Sequence, residues 1–180
     1  QNIRYLSLDN YRSQNTLIDG KPVFFGATIE ENLRKVQPGI SEREFQEILE
    51  ISGLQKVLEQ LPEGISTEIN QFGMPLSQGD RVTLALARGL MSGPSILLID
   101  EALANLDKST QISFFENFSK ISELKTVIMA THDLRSTALF EQIIVLEKGL
   151  VVGQGAHDVL LKNCPLYQEL WEMEQKLTGT

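Results

Sequence analysis

Cysteine is nearly absent: the single Cys164 leaves no internal disulfide framework to be built, as expected for a reducing cytosol. Also absent is any apolar run approaching the roughly 20 residues that span a bilayer, and no stretch reads as a signal peptide. Any membrane contact must then come through a partner. Basic clusters are missing too, and the net charge of −8 argues against a nucleic-acid surface, because phosphate backbones demand concentrated positive charge. No internal repeat or low-complexity tract interrupts the chain. What remains is 180 residues with 42% hydrophobic content, enough to bury a sizeable core.

Pro94 breaks whatever precedes it, and Ser95-Ile96-Leu97-Leu98-Ile99 is the nearly all-apolar run expected of a parallel strand covered on both faces. Asp100 and Glu101 follow at its carboxyl end, where open α/β sheets place their ligand crevice. Adjacent strand residues point to opposite sides, so the two carboxylates are free to do different work. Asp100 suits a magnesium ion, directly or through water, and Glu101 suits an attacking water. An isolated acidic pair after such a run is as easily a solvated strand end; the flanking segments give it chemical meaning.

Upstream, Leu76-Ser77-Gln78-Gly79-Asp80 precedes a Leu- and Ala-rich segment, Arg81 to Met91, whose apolar residues surround almost the whole helical circumference. Ser77 is placed to cap that helix, and Gly79 keeps its start open to close approach. Free amides and the positive end of the helix dipole make such a start suited to phosphate. Downstream, Thr126-Val127-Ile128-Met129-Ala130 is a second short β-type run, which delivers His132 to another carboxyl end. An imidazole there can donate to a phosphate oxygen.

In this order and spacing, LSQGD, the strand ending in Asp100-Glu101, ALANLD (Ala102 to Asp107) and Thr131-His132-Asp133 resemble four motifs of the ATP-binding cassette of ABC transporters, exporter type. They match its signature, Walker B strand, D-loop and switch-histidine loop. Weaker likenesses run from Pro22 to Leu33, from Leu61 to Gly73 (the exporter X-loop and its approach) and from Ile143 to Leu161. The resemblance covers nearly everything from about Leu6 onward. It implies a P-loop NTPase-like α/β fold, with a mostly parallel sheet core and a helical signature subdomain.

It also implies ATP and Mg2+ as ligands, with the nucleotide sandwiched between two cassettes. Ser77 and Gly79, with Gln78 beside them, would meet the γ-phosphate bound by the opposite cassette, and Asp107 would communicate across the interface. Glu101 and His132 would be catalytic, and Asp100 would hold the metal. The implied partners are a second cassette, in a homo- or heterodimer, and the transmembrane domain of an exporter. No nucleic acid is among them. That places the chain at the cytoplasmic face of the membrane, held there by the transmembrane partner.

Departures matter as much. No G-x-x-x-x-G-K-[ST] loop occurs, so the backbone cradle and lysine for the β- and γ-phosphates are missing. The expectation is a cassette whose amino-terminal part is truncated and which is inactive alone. The Q-loop glutamine falls at Gly20, Asp80 replaces the final glutamine of the signature, and Gln71 stands where exporters carry an acid. A degenerate cassette that dimerises or regulates without hydrolysis is the alternative. A soluble, non-transport cassette fits the acidic charge and the X-loop likeness less well.

The layout divides into a remnant of the nucleotide-binding lobe (1–21), a helical subdomain with X-loop and signature (22–91) and an α/β core with terminal helices (92–180). In the first part Tyr5-Leu6-Ser7-Leu8 reads as a strand, followed by polar loop residues. Ser41 to Glu44 matches a capping box, and Gly53 stops the helix that follows. Periodicity alone supports an ordinary packed helical insert equally well. Ile112, Phe115, Phe118 and Ile121 share one helical face, and Lys148-Gly149 suggests a hairpin turn. Tyr167, Leu170, Trp171 and Leu177 recur along a terminal helix interrupted by Glu174; they and His157 and Cys164 read as structural.

Overall fold

The computed structural model describes residues 3–178, and these divide after Ala130 into two compact units. The chain opens on a 3-10 turn and helix α1 (Leu8–Gln14), whose Ser7 cap accepts the Asn10 amide at 3.2 Å. This corrects the strand expected over Tyr5 to Leu8: a serine cap with Asp9 in the first turn outweighs the apolar Tyr5, Leu6 and Leu8. The strand comes later, as β1 (Asn15–Asp19), where polar loop was expected.

A short strand, β2 (Ala27–Thr28), pairs antiparallel with β3 (Glu68–Ile69), and three helices lie between them. These are α2 (Ile29–Arg34), α3 (Glu42–Ile51) and α4 (Leu54–Gln60). Thr28 and Glu31 cap α2 reciprocally, and Ser41 accepts the Glu44 amide to start α3. Gly53, at φ 79°, separates α3 from α4. All three helices pack on the central α5 (Gln78–Met91), which buries Val82, Leu84, Leu86, Ala87 and Leu90, as its all-round apolar sequence requires.

Strand β4 (Ile96–Asp100) follows, then α6 (Lys108–Glu116), α7 (Phe118–Leu124) and β5 (Thr126–Ala130). The three longer strands make a parallel sheet in the order β1-β4-β5. Helix α5 lies so close to one face that a Cβ on Gly89 would come within 3.0 Å of Leu97 and 3.2 Å of Ile18. The opposite face carries the registered row Leu17, Leu98 and Ile128, of which Leu17 is 59% and Ile128 56% exposed. The expectation of a strand covered on both faces is therefore met on one face only. Lys125 ties β5 to the turn before β4, donating to the carbonyls of Ser92 and Pro94; burial pushes its pKa down.

The single helix expected from Lys108 to Ile121 is instead broken at Asn117, whose side-chain amide donates to the Ser113 carbonyl. The interruption shifts the helical phase. Phe114, Phe118 and Ile121 are buried, whereas Ile112 is exposed and Phe115 only half-buried.

In the second unit, a 3-10 segment (Leu134–Leu139) leads to the antiparallel hairpin β6 (Ile143–Glu147) and β7 (Leu150–Gly155). Its two-residue turn, Lys148-Gly149, has positive φ at both positions, the type that matches strand twist. Helices α8 (His157–Asn163) and α9 (Pro165–Thr178) close a small core of Val145, Leu160, Cys164 and Tyr167. Leu177, expected on this stripe, has a side chain outside the described residues. No helix among the described residues is long and apolar enough to cross a membrane.

Candidate functional site

The three parallel strands end level with one another. Asp100, the last residue of β4, is in register with Asp19 of β1 and Ala130 of β5, and both aspartates are exposed. Glu101 donates its amide to the Ala130 carbonyl at 3.1 Å and then turns into the left-handed region, at φ 49°. The strand alternation invoked for Asp100 and Glu101 thus stops one residue early: Glu101 leaves the sheet through a backbone conformation rare outside glycine. Such outliers, held in place by their surroundings, cluster at working sites.

Ser77 caps α5, but its hydroxyl is already engaged. It donates to Asp80 Oδ2 at 2.6 Å, while the Asp80 amide donates back to Ser77 Oγ at 3.2 Å. The Ser77 amide also donates to Asp80 Oδ2. Asp80 is therefore turned onto the helix start, giving a capping box with aspartate in the glutamate position. The carboxylate offsets the positive end of the helix where a phosphate would otherwise be attracted.

Gln78 is exposed, and Gly79 faces Asp107: a Cβ on Gly79 would lie 3.7 Å from Asp107 Oδ2. Asp107 itself accepts the amide and hydroxyl of Thr110. Ser77, Gly79 and Asp107 are thus assembled in one place. Ala104 and Asn105, within the same loop, have side chains outside the described residues. In the second unit His132 is exposed, beside Asp133, whose carboxyl is held below its ordinary value chiefly by hydrogen bonds from the Arg135 side chain.

As for magnesium, no group of three or more His, Cys, Asp or Glu side chains among the described residues could hold a metal. This suits magnesium bound by one or two carboxylates plus phosphate oxygens, a role open to Asp100. Asp100 and Asp19 are carboxylates of the kind that hold such an ion, and the phosphate cradle is not among the residues present.

A family model described as "ABC transporter" matches residues 2–104. The chain belongs to that family. As an ABC domain it is of the ATP-binding, exporter type. It is 28% identical over 176 residues to ATP-binding cassette sub-family B member 6 of Mesocricetus auratus, covering 98% of this chain and 21% of that protein. It is 30% identical to the heterocyst differentiation ATP-binding protein HepA of Nostoc sp., covering 96% of this chain and 28% of that protein. A bacterial Atm1-family ABC exporter solved with ATP bound superposes with a TM-score of 0.85 at 29% identity, covering 97% of this chain and 31% of that one. The ABC domain thus spans only about a fifth to a third of the length of these relatives.

Two features of the ABC domain escaped the sequence reading. Asp19 stands beside Asp100 only because β1 exists, and that strand was hidden by its polar flanks. Arg88 lies in the apolar carboxyl-terminal part of α5, between Ala87 and Gly89, and lines a cavity of about 260 Å3 with Thr16, Asp19, Lys21 and Ser92. Its Nη1 donates to the Val23 carbonyl at 2.8 Å, while Nε is buried with no hydrogen-bond partner, and burial lowers its pKa. A lone arginine inside ALARGL was the signal available.

Proposed function

We propose that this ABC domain is the carboxyl-terminal part of a cassette that couples ATP binding and hydrolysis to export. The observation carrying the proposal is the level ending of the parallel strands at Asp100, followed at once by Glu101 in a strained left-handed turn. A magnesium ion would neutralise charge on the phosphate oxygens, and Asp100 would hold it, directly or through water. Glu101 would orient or deprotonate the attacking water, and His132 would donate to an oxygen of the γ-phosphate. Ser77 and Gly79, beside Gln78, would meet the γ-phosphate held by a second cassette once the Ser77 hydroxyl exchanges Asp80 for it. Asp107 would carry the contact between cassettes.

The proposed partners are that second cassette and the transmembrane domain of an exporter, which would hold the chain at the cytoplasmic face of the membrane. The division at 22 and 92 remains our functional partition.

The capping box at Asp80 favours a second reading, a cassette that binds without efficient turnover, since the carboxylate competes with phosphate at the helix start. One experiment decides. The purified chain should show negligible ATPase, whereas fusion behind an ABC phosphate-loop segment should give turnover that Glu101→Gln lowers about 10²- to 10⁴-fold. Steady hydrolysis by the chain alone, lost in Glu101→Gln, would overturn the predicted inactivity. Tight ATP binding by the fusion without turnover would select the second reading.

A further inference from the structure

The turn that follows His132 is held from two sides by the last helix. Asp133 caps the 3-10 segment: its amide donates to Thr131 Oγ1 at 3.0 Å, and its Oδ1 accepts the Arg135 amide at 3.1 Å. Arg135 grips both carboxylate oxygens, Nε to Oδ1 at 2.8 Å and Nη2 to Oδ2 at 2.7 Å, a two-pronged geometry that fixes orientation. The same Nε lies 3.3 Å from Glu174 Oε1 on α9. This explains why an acid interrupts the apolar stripe of that helix, for an apolar side chain would give Arg135 no counter-charge.

Counting protons resolves the second attachment. The Thr137 hydroxyl donates to the Leu134 carbonyl at 2.6 Å, which uses its one proton, so Tyr167 must donate to Thr137 across 2.6 Å. Tyr167 has then used its own proton. His157 Nδ1, 2.8 Å from Tyr167 Oη, must therefore be the protonated nitrogen. The relay runs His157 to Tyr167 to Thr137 to the Leu134 carbonyl, and Trp171 packs edge-on against the His157 ring at 4.5 Å.

We infer that α9 is a positioning clamp for the turn presenting His132, with Glu174 acting through Arg135 and Asp133, and Tyr167 through Thr137. Its use in catalysis rests on the reading of His132 proposed above. Arg135 is about half exposed, and exposed ion pairs contribute under about 1 kcal/mol, so breaking the Glu174 contact should loosen the turn without unfolding the unit.

The test uses the full isotope-labelled chain without nucleotide. Only two histidines occur, so the ring signals of His132 and His157 separate readily, with His157→Gln assigning them. In Glu174→Leu and Tyr167→Phe the His132 ring signal should broaden or split. In Glu174→Leu the amides of Asp133 and Arg135 should exchange at least about tenfold faster while the thermal midpoint holds, with Glu174→Gln intermediate. The wild-type His157 ring should carry its proton on Nδ1. Unchanged His132 signals and exchange rates, changes that merely follow loss of the unit's stability, or a proton on Nε2 would each overturn the clamp. Because no hydrolysis is measured, an inactive cassette leaves this result untouched, and a failed clamp leaves the hydrolysis reading standing.

Discussion

Asp80 and Glu101 are charged residues whose settings differ in what they restrain. Glu101 occupies a left-handed backbone that costs of order 1–3 kcal/mol, and its amide is pinned to the Ala130 carbonyl, so its departure angle from β4 is fixed before any ligand arrives. Asp80 stabilises the start of α5 and at the same time screens it. Replacing it with asparagine should remove the charge and weaken the cap, leaving only an amide oxygen to accept from Ser77. Asp80→Asn is expected to lower stability by about 0.5–1 kcal/mol in urea denaturation. It should also let inorganic phosphate shift the amide signals of Ser77 and Gly79, which phosphate leaves unmoved in the wild-type chain.

At the scale of elements, α5 is the hinge between sequence and site, because one helix carries the signature at its start and packs on the sheet near its end. Its two glycines make opposite predictions. A methyl group at Gly79 meets nothing nearer than 3.7 Å, so Gly79→Ala should stabilise the isolated chain by about 0.5–1 kcal/mol. At Gly89 the added carbon would press on the buried Leu97 and Ile18, so Gly89→Ala should destabilise by about 1–3 kcal/mol despite better helix propensity. Urea midpoints of the two variants should therefore move in opposite directions.

The same elements show what could be read from the chain. Strand β4, the buried α5 and the hairpin turn at Lys148-Gly149 were legible because local chemistry and tertiary demand agree there. Strand β1 was not, since pairing with β4, rather than its own sequence, makes Asn15 to Asp19 extended. The break at Asn117 was missed because a side-chain amide that takes a helix carbonyl leaves no mark on apolar spacing. The motif residues were read from their order along the chain, and the fold brings Ser77, Gly79 and Asp107 together. Asp19 and Arg88 needed the fold.

For the molecule as a whole, the row of Leu17 and Ile128 with half-buried Leu98 between them opens an apolar face of the first unit to water, as Ile144, Leu146, Leu150 and Val151 do on the hairpin of the second. Parallel sheets normally bury both faces. The exposed row should bind hydrophobic dyes and promote self-association, even though the net charge of −8 favours solubility. A Leu17→Thr, Ile128→Thr double variant should cut dye binding and shift light scattering toward monomer, with little change in unfolding midpoint because both side chains already face solvent. Equal dye binding before and after would place the sticky surface elsewhere.

The tie between α9 and the turn after His132 has a bearing on biosynthesis. A ribosome adds the turn after His132 before it adds α9, so the Arg135–Glu174 and Thr137–Tyr167 ties form only once the last helix has been made. Translation order would then make this turn one of the last parts of the second unit to settle.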